Sequence, residues 1–301
     1  TTTNVDQGLP YRPARLDSTQ GVGALDNRRE FAERFQVPAG ARVLLAAVDV
    51  QANRFEVAVW AYGAHRERWL LDRYALTETA DGERLRPAAI LEHWEVLIDR
   101  VVLGTYRLES GKELRIYRVA VDSGGWHDRA QQADSTRRAY DWWRSLAARR
   151  LSHRVVLVKG ETTRGHDLAR LTRPDSRVRS DRHAGSRGDV PVLMINSDRA
   201  KDAAHDDLSR DTPGPGYVHL PTWLSKAHLA ELQTEARDAK GHWAPARGRR
   251  NETWDLLIYC DAIWHHLGAE RIHWERPPVW AAEMGRNSEV ISAEQRRDLK
   301  T

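Results

Sequence analysis

The clearest hydrophobic pattern in the chain begins after Arg42, where Val43-Leu44-Leu45-Ala46-Ala47-Val48 form an unbroken apolar run that stops at Asp49. A short run of this kind, bounded by turn residues, reads as a strand buried on both faces. Gln51-Ala52-Asn53 supplies the turn, and Phe55, Val57 and Val59 then alternate with Arg54, Glu56 and Ala58, which predicts a hairpin. Trp69-Leu70-Leu71 predicts a third strand. From Pro87 the pattern changes to helical spacing through Ile90, Trp94, Leu97 and Val101. A fourth strand, Leu114 to Val121, runs into Asp122-Ser123-Gly124-Gly125, so it also ends on a carboxylate at a turn. A helix over roughly 130–150 follows, then strands at Val155 to Val158, ending in Lys159-Gly160, and at Val192 to Ile195. Ser197 or Asp198 is positioned to cap a helix holding Lys201 and Leu208. Beyond Pro213-Gly214-Pro215-Gly216 come a short strand at Tyr217 to Leu220 and a helix from Ser225 to about Ala236. The last long helix is capped by Asn251 and stops at Gly268. Strands alternating with helices in this way predict an α/β core.

That core is expected over 41–268. Residues 1–40 are polar, with Pro10 and Pro13 and one helical stretch around Asn27 to Phe35, and they read as an arm or linker; 269–301 reads as a polar C-terminal tail. Between Thr162 and Asp189 the chain shows little periodicity and many Arg residues, and a loop of that length is expected to be either functional or disordered.

Composition narrows the classes. Cys260 is the only cysteine, which excludes an intramolecular disulfide and any cysteine-cluster metal site. No stretch approaches the roughly 20 apolar residues of a membrane span, and Thr1 to Asn4 show no basic or apolar leader, so neither a membrane protein nor a secreted one is expected. The net charge is only +4, but Arg strongly outnumbers Lys, and the guanidinium fork suits phosphate. No G-x-x-x-x-G-K-[ST] phosphate loop occurs, so ATP hydrolysis is not expected of this chain.

Three carboxylates stand out by position: Asp49 ending the first strand, Asp122 ending the fourth and Asp255 one turn into the last helix. Strand ends converge on one edge of an α/β sheet, and a helix packed there adds a third side chain. Carboxylates so gathered repel one another, and a hard divalent cation relieves the repulsion. Two such ions about 3.5–4 Å apart can activate water and hold a phosphodiester for hydrolysis. Each Asp taken singly also fits a simpler role, as a turn former or, for Asp255, as a charge favoured by the helix N-terminus.

The order of landmarks resembles a known family. Ala47-Val48-Asp49-Val50-Gln51 with Arg54-Phe55-Glu56, Val121-Asp122-Ser123-Gly124, Val158-Lys159-Gly160, Asp198 to Lys201, Gly214 to His219, Leu232 to Glu235, and Arg250-Asn251-Glu252 with Asp255 and Tyr259 resemble the nuclease half of the lambda-type large terminase subunit of tailed bacteriophages. The resemblance implies a ribonuclease H-like fold with a central mixed sheet flanked by helices. It also implies Mg²⁺ or Mn²⁺ dependence and Asp49, Asp122 and Asp255 as metal-binding acids. It further implies an ATPase domain preceding the arm, double-stranded DNA as substrate, a small terminase subunit and a portal protein as partners, and the host cell cytoplasm as location. The chain departs from the family pattern at Thr253-Trp254 and in the length of the Arg-rich segment.

Lys159 and Lys201 are candidates to bring positive charge to the acids or the phosphate, and both also suit solvated element ends. Arg164, Arg170, Arg173, Arg177 and Arg179 in the loop, with Arg247, Arg249 and Arg250 before the last helix, are candidates for DNA-backbone contacts that position a duplex without reading its sequence. Two other readings stay open: a resolvase- or integrase-type nuclease of the same fold, and a weakly catalytic module that docks DNA or a portal.

Overall fold

The computed structural model describes residues 22–125, 127–128, 133–162, 167–175 and 186–298. Its centre is a mixed sheet. Strands β1 (Ala41–Val50), β2 (Phe55–Gly63) and β3 (Arg68–Leu76) form an antiparallel meander. A short strand β4 (Thr105–Arg107) leads to β5 (Glu113–Asp122), which lies parallel to β1. β6 (Val155–Glu161) adds parallel to β5, β7 (Ala169–Thr172) is an antiparallel edge strand, and β8 (Val192–Asn196) lies between β6 and β7, parallel to β6. A two-residue strand β9 (Val218–His219) extends the opposite edge beside β3. The resulting order, β9-β3-β2-β1-β5-β6-β8-β7, has at its heart an antiparallel meander followed by parallel strands, the arrangement expected of a ribonuclease H-like sheet.

Both faces of this sheet are covered, which is why β1 reads as continuous apolar sequence. Successive side chains leave a strand on opposite faces. Leu44, Ala46 and Val48 pack with Val119, Val121, Trp94, Leu97, Trp142 and Leu146 on one face. Val43, Leu45 and Ala47 pack with Ala120, Val158, Ala204, Leu257 and Ile263 on the other. The first layer includes helix α1 (Ser135–Ala148), started by Asp134, whose side chain accepts the Arg137 N–H. The second contains α2 (Ser197–Leu208), α3 (Lys226–Glu231) and α4 (Glu252–His266). Each fully buried Leu, Ile or Val in these layers stabilises by roughly 1.5–3 kcal/mol.

A buried ion network fixes the second layer. Arg68 on β3 lies 3.0 Å from Asp207 on α2 and 3.1 Å from Asp261 on α4, and the Tyr62 hydroxyl donates to Asp261 at 2.6 Å. The helices that carry Lys201 and Asp255 are therefore pinned to the same strand pair.

Several elements differ from their sequence-based expectations. Residues 28–37 are irregular, with turns and isolated bridges and no helix; the short helix is Val22–Asn27. The backbone of this segment is claimed by neighbours instead, with Glu30 N–H donating to Leu220 O at 3.0 Å and Val37 N–H to Arg107 O at 2.8 Å. The expected helix after Pro87 is broken into a 3₁₀ turn at Glu92–Glu95 and a wide π turn at Ile98–Val102. One reason is local: the Trp94 indole N–H takes the Pro87 carbonyl at 2.8 Å as the ring enters the core. Asn196, rather than Ser197 or Asp198, caps α2, and α3 stops at Glu231, before the expected Ala236. The segment from Ala269 onward packs on the domain: Trp274 stacks on Trp264, Trp280 stacks on Tyr117 at 4.8 Å, and Val290–Ile291 pairs with β5. Among the described residues no helix is long and apolar enough to cross a membrane.

Candidate active site

Strand parity and register bring the first two acids together. Val48 pairs with Val121 across the parallel β1 and β5, so Asp49 and Asp122 end neighbouring strands, roughly 4.8 Å apart along the sheet. Asp49 shares the face of Leu45 and Ala47, and Asp122 shares the face of Ala120; both therefore point toward the layer holding α4. Asp255 lies in the first turn of α4.

Their surroundings leave these charges poorly compensated. Asp49 is buried and its Oδ2 accepts from the Gln51 amide at 2.6 Å. Burial, then the negative charge of Asp255, pushes its carboxyl up to about 7. Asp122 accepts the Gly124 N–H at 2.8 Å on Oδ1, and burial followed by Asp49 pushes it well above the ordinary carboxylate range. Asp255 is raised to about 6, first by burial, although 24% of its side-chain surface is exposed. Lys201 opposes that rise. Tyr259, one turn farther along α4, senses the same group: burial first, then Asp122, Asp255 and Asp49, drives its phenol well above the usual value. Electrostatics thus link the four groups, with Asp255 acting on Asp49, both acting on Asp122, and all three acids acting on the Tyr259 phenol.

The Ser-Gly-Gly sequence after Asp122 is explained by crowding. Ser123 donates its hydroxyl to Val158 O at 2.9 Å, tying the turn to β6. A Cβ on Gly125 would fall 1.7 Å from the Ser135 Oγ at the start of α1, and one on Gly124 would sit 3.1 Å from the Asp122 carboxylate. Glycine lets the backbone N–H reach Asp122 while α1 packs close behind.

The two lysines differ. Lys201 on α2 lies 3.2 Å from Asp255 Oδ1 and 2.7 and 2.8 Å from the two oxygens of Glu235. Lys159 on β6 has its charge near Asp122, which it draws downward.

The sequence reading passed over Glu235, Asn251, Gln51 and Tyr259 as site residues. Glu235 begins β10 (Glu235–Arg237), which pairs with β11 (Trp243–Pro245), and its buried carboxylate also accepts from the Asn251 amide at 2.7 Å. Asn251 does occupy the N-cap position of α4, but its side chain does not cap the helix; it spans Glu235 and Asp255, at 2.9 Å from Asp255 Oδ2. The available signal is Glu235 itself, the acid that closes the Leu232 to Glu235 landmark.

The candidate DNA-contacting arginines divide into groups. Arg164, Arg177 and Arg179 lie outside the described residues. Arg170 forks onto Glu161 at 3.0 and 2.8 Å, and Arg173 donates to Asp189 O at 2.8 Å. Arg247 and Arg249 are exposed in the turn after β11. Arg250 is engaged within the chain, 2.7 Å from Glu56 and 3.0 Å from Glu252.

Comparison with known proteins matches the chain to a family. The family described as terminase large subunit gpA, endonuclease domain, matches residues 1–274. The terminase large subunit of Escherichia phage lambda is 26% identical over 246 residues, 77% of this chain and 34% of the relative. That of Enterobacteria phage P21 is 26% identical over 241 residues, 75% of this chain and 33% of the relative. The chain thus spans about a third of the length of these curated relatives. Among solved structures, the large terminase from the thermophilic bacteriophage D6E is 10% identical, with a TM-score of 0.35 over 78% of this chain and 41% of the other. RuvC of Thermus thermophilus is 14% identical, with a TM-score of 0.30 over 75% of this chain and 97% of the other. The strand order and directions described above, rather than these distant likenesses, carry the fold assignment. With the match running through all but the last 27 residues, the chain belongs to the family of terminase large subunit gpA endonuclease domains.

Proposed function

We propose that this chain is a metal-dependent endonuclease that cuts double-stranded viral DNA during genome packaging, by two-metal phosphodiester hydrolysis. The observation that carries the reading is the juxtaposition of Asp49 and Asp122 on neighbouring strand ends with Asp255 on the helix above, all three pushed upward by burial, with Asp255 raising Asp49, and Asp49 and Asp255 raising Asp122. The donor set fits Mg²⁺ or Mn²⁺: hard carboxylate oxygens on three separate elements, with more negative charge than the neighbouring ammonium groups offset. Among the described residues no group of three or more acidic, imidazole or thiol side chains is already arranged to hold an ion.

Bound divalent ions would supply an activated water and charge stabilisation at the scissile phosphate. The chain's own residues orient that chemistry. Gln51, Gly124 and Asn251 fix the carboxylate rotamers by hydrogen bonds to Asp49, Asp122 and Asp255. Lys159 brings a positive charge to the Asp122 side. Arg247 and Arg249, on the turn leading into α4, contact the DNA backbone beside the acids, and Arg164, Arg170, Arg173, Arg177 and Arg179 extend that contact. Arg250 serves the same surface only through the acids it holds. In the longer protein an ATPase domain, a small terminase subunit and a portal would deliver the DNA, in the host cell cytoplasm.

Supercoiled plasmid incubated with the purified chain in Mn²⁺, Mg²⁺ or EDTA tests the reading. Metal-dependent nicking or linearisation that Asp49→Asn and Asp255→Asn each abolish is expected. Intact plasmid in both metals, with DNA still shifted in a gel, would replace the nuclease reading with a docking module.

A further inference from the structure

Lys201 brings a positive charge into the acid recess at contact distance. It reaches the recess from α2, whereas Glu235 comes from β10 and Asp255 from α4, so three separate elements meet at one ammonium. The contacts are unequal. Both Glu235 oxygens lie within 2.8 Å of Nζ, and the Glu235 side chain is almost wholly buried; the Asp255 contact is longer, at 3.2 Å. Asn251 holds the other Asp255 oxygen at 2.9 Å while also bonding Glu235. Each Asp255 oxygen therefore already has a donor. By contrast, the hydrogen bonds given above for Asp49 and Asp122 come from a neutral side-chain amide and a backbone N–H.

A divalent cation reaching for Asp255 must therefore displace a donor, and a like charge at that distance opposes it. The weaker of the two lysine contacts is the one to Asp255, so the ammonium has somewhere to retreat without losing its bidentate partner. We propose that Lys201 is a resident cation of the acid recess, competing with a divalent ion for Asp255, and that Glu235 is the anchor onto which it withdraws. Lys201 is then a positioning residue. The inference rests on the metal-dependent reading above.

The two ends of the ion pair give opposite signs. Mn²⁺ binding to the 301-residue chain, without DNA, is followed by calorimetry and by the electron paramagnetic resonance signal of free Mn²⁺. Lys201→Met, which removes the competitor, is expected to tighten Mn²⁺ binding by about tenfold or more. Glu235→Gln, which removes the anchor and leaves the ammonium on Asp255, is expected to weaken it. Simple damage to the recess would weaken binding in both variants. Lys201→Gln keeps a donor for Glu235 without the charge, and tightening is expected there too, so the sign can be read even where the Met variant folds poorly. Unchanged or weaker Mn²⁺ binding in the lysine variants would overturn the proposal while leaving the metal reading intact. Mn²⁺ binding that is equal in the wild type and in Asp49→Asn would instead remove the metal reading itself.

Discussion

Asp49 and Glu56 face each other across β1 and β2, yet they sit in opposite electrostatic settings. Glu56 is gripped by three guanidinium groups, Arg54 at 2.5 Å, Arg73 at 2.6 Å and Arg250 at 2.7 Å. Burial works against its charge, but these partners prevail and hold it at about 2. Asp49 has a neutral amide and is pushed up to about 7, with Asp122 and Asp255 raised beside it. One carboxylate group is neutralised inside the chain, and the other is left for something outside it. The first region belongs to the framework: Arg73 also donates to Thr253 at 3.0 Å and lies 3.5 Å from Glu231, which ties α3 and the start of α4 to β3. The second is where an external cation has most to gain.

If that division is right, stability and activity should separate by region. The largest expected effect is on cleavage: Asp122→Asn should lower plasmid nicking by more than about a hundredfold, beyond the loss typical of an outer partner of a metal site. Its urea midpoint should stay level or rise. Arg73→Met should do the reverse in stability, costing about 3–5 kcal/mol by leaving buried carboxylates short of a partner. A loss below about 1 kcal/mol, the range of a surface ion pair, would break the comparison. A smaller effect distinguishes the two regions by pH. Glu56 has a depressed folded pKa, so its contribution to stability is present above its ordinary value of 4.5 and is lost as the pH falls toward about 2. Glu56→Gln should flatten that acid limb in urea titrations between these limits. The smallest expected change lies on the surface. Arg247→Ala and Arg249→Ala should each reduce the salt slope of duplex binding by about 0.9, without altering stability.

The acid-bearing strand ends and helix were legible in the sequence because each joins a long apolar pattern to a carboxylate at its terminus. β1 is buried on both faces almost throughout and β5 at Val119 to Val121, where each runs into its acid, and parity then decides which way Asp49 and Asp122 point. What escaped was decided by partners far away in the chain. Glu235 vanished into an expected helix from Ser225 to Ala236. In the folded chain that helix ends at Glu231, whose carboxylate turns to the Thr253 N–H at 2.9 Å, and β10 begins soon after. Arg247, Arg249 and Arg250 look alike in sequence and all three are exposed, but only a structure shows that Arg250 is paired with Glu56 and Glu252. Asn251 reads as a cap because capping is local, whereas its bond to Glu235 is not.

The central claim, that the Asp49 recess is a charge deficit awaiting a cation, is tested most directly by melting metal-free wild type and Asp49→Asn across pH. A carboxylate whose folded pKa is raised from 3.8 to about 7 stabilises the fold fully below the lower value, and that contribution is lost as the pH rises through the higher one. The wild type should therefore lose stability between about pH 4 and 7 relative to Asp49→Asn. At pH 8 the variant should melt higher, and added Mn²⁺ should raise the wild type toward it or beyond while leaving the variant largely unmoved. A variant that melts lower than the wild type at pH 8, with Mn²⁺ shifting neither protein, would contradict the account.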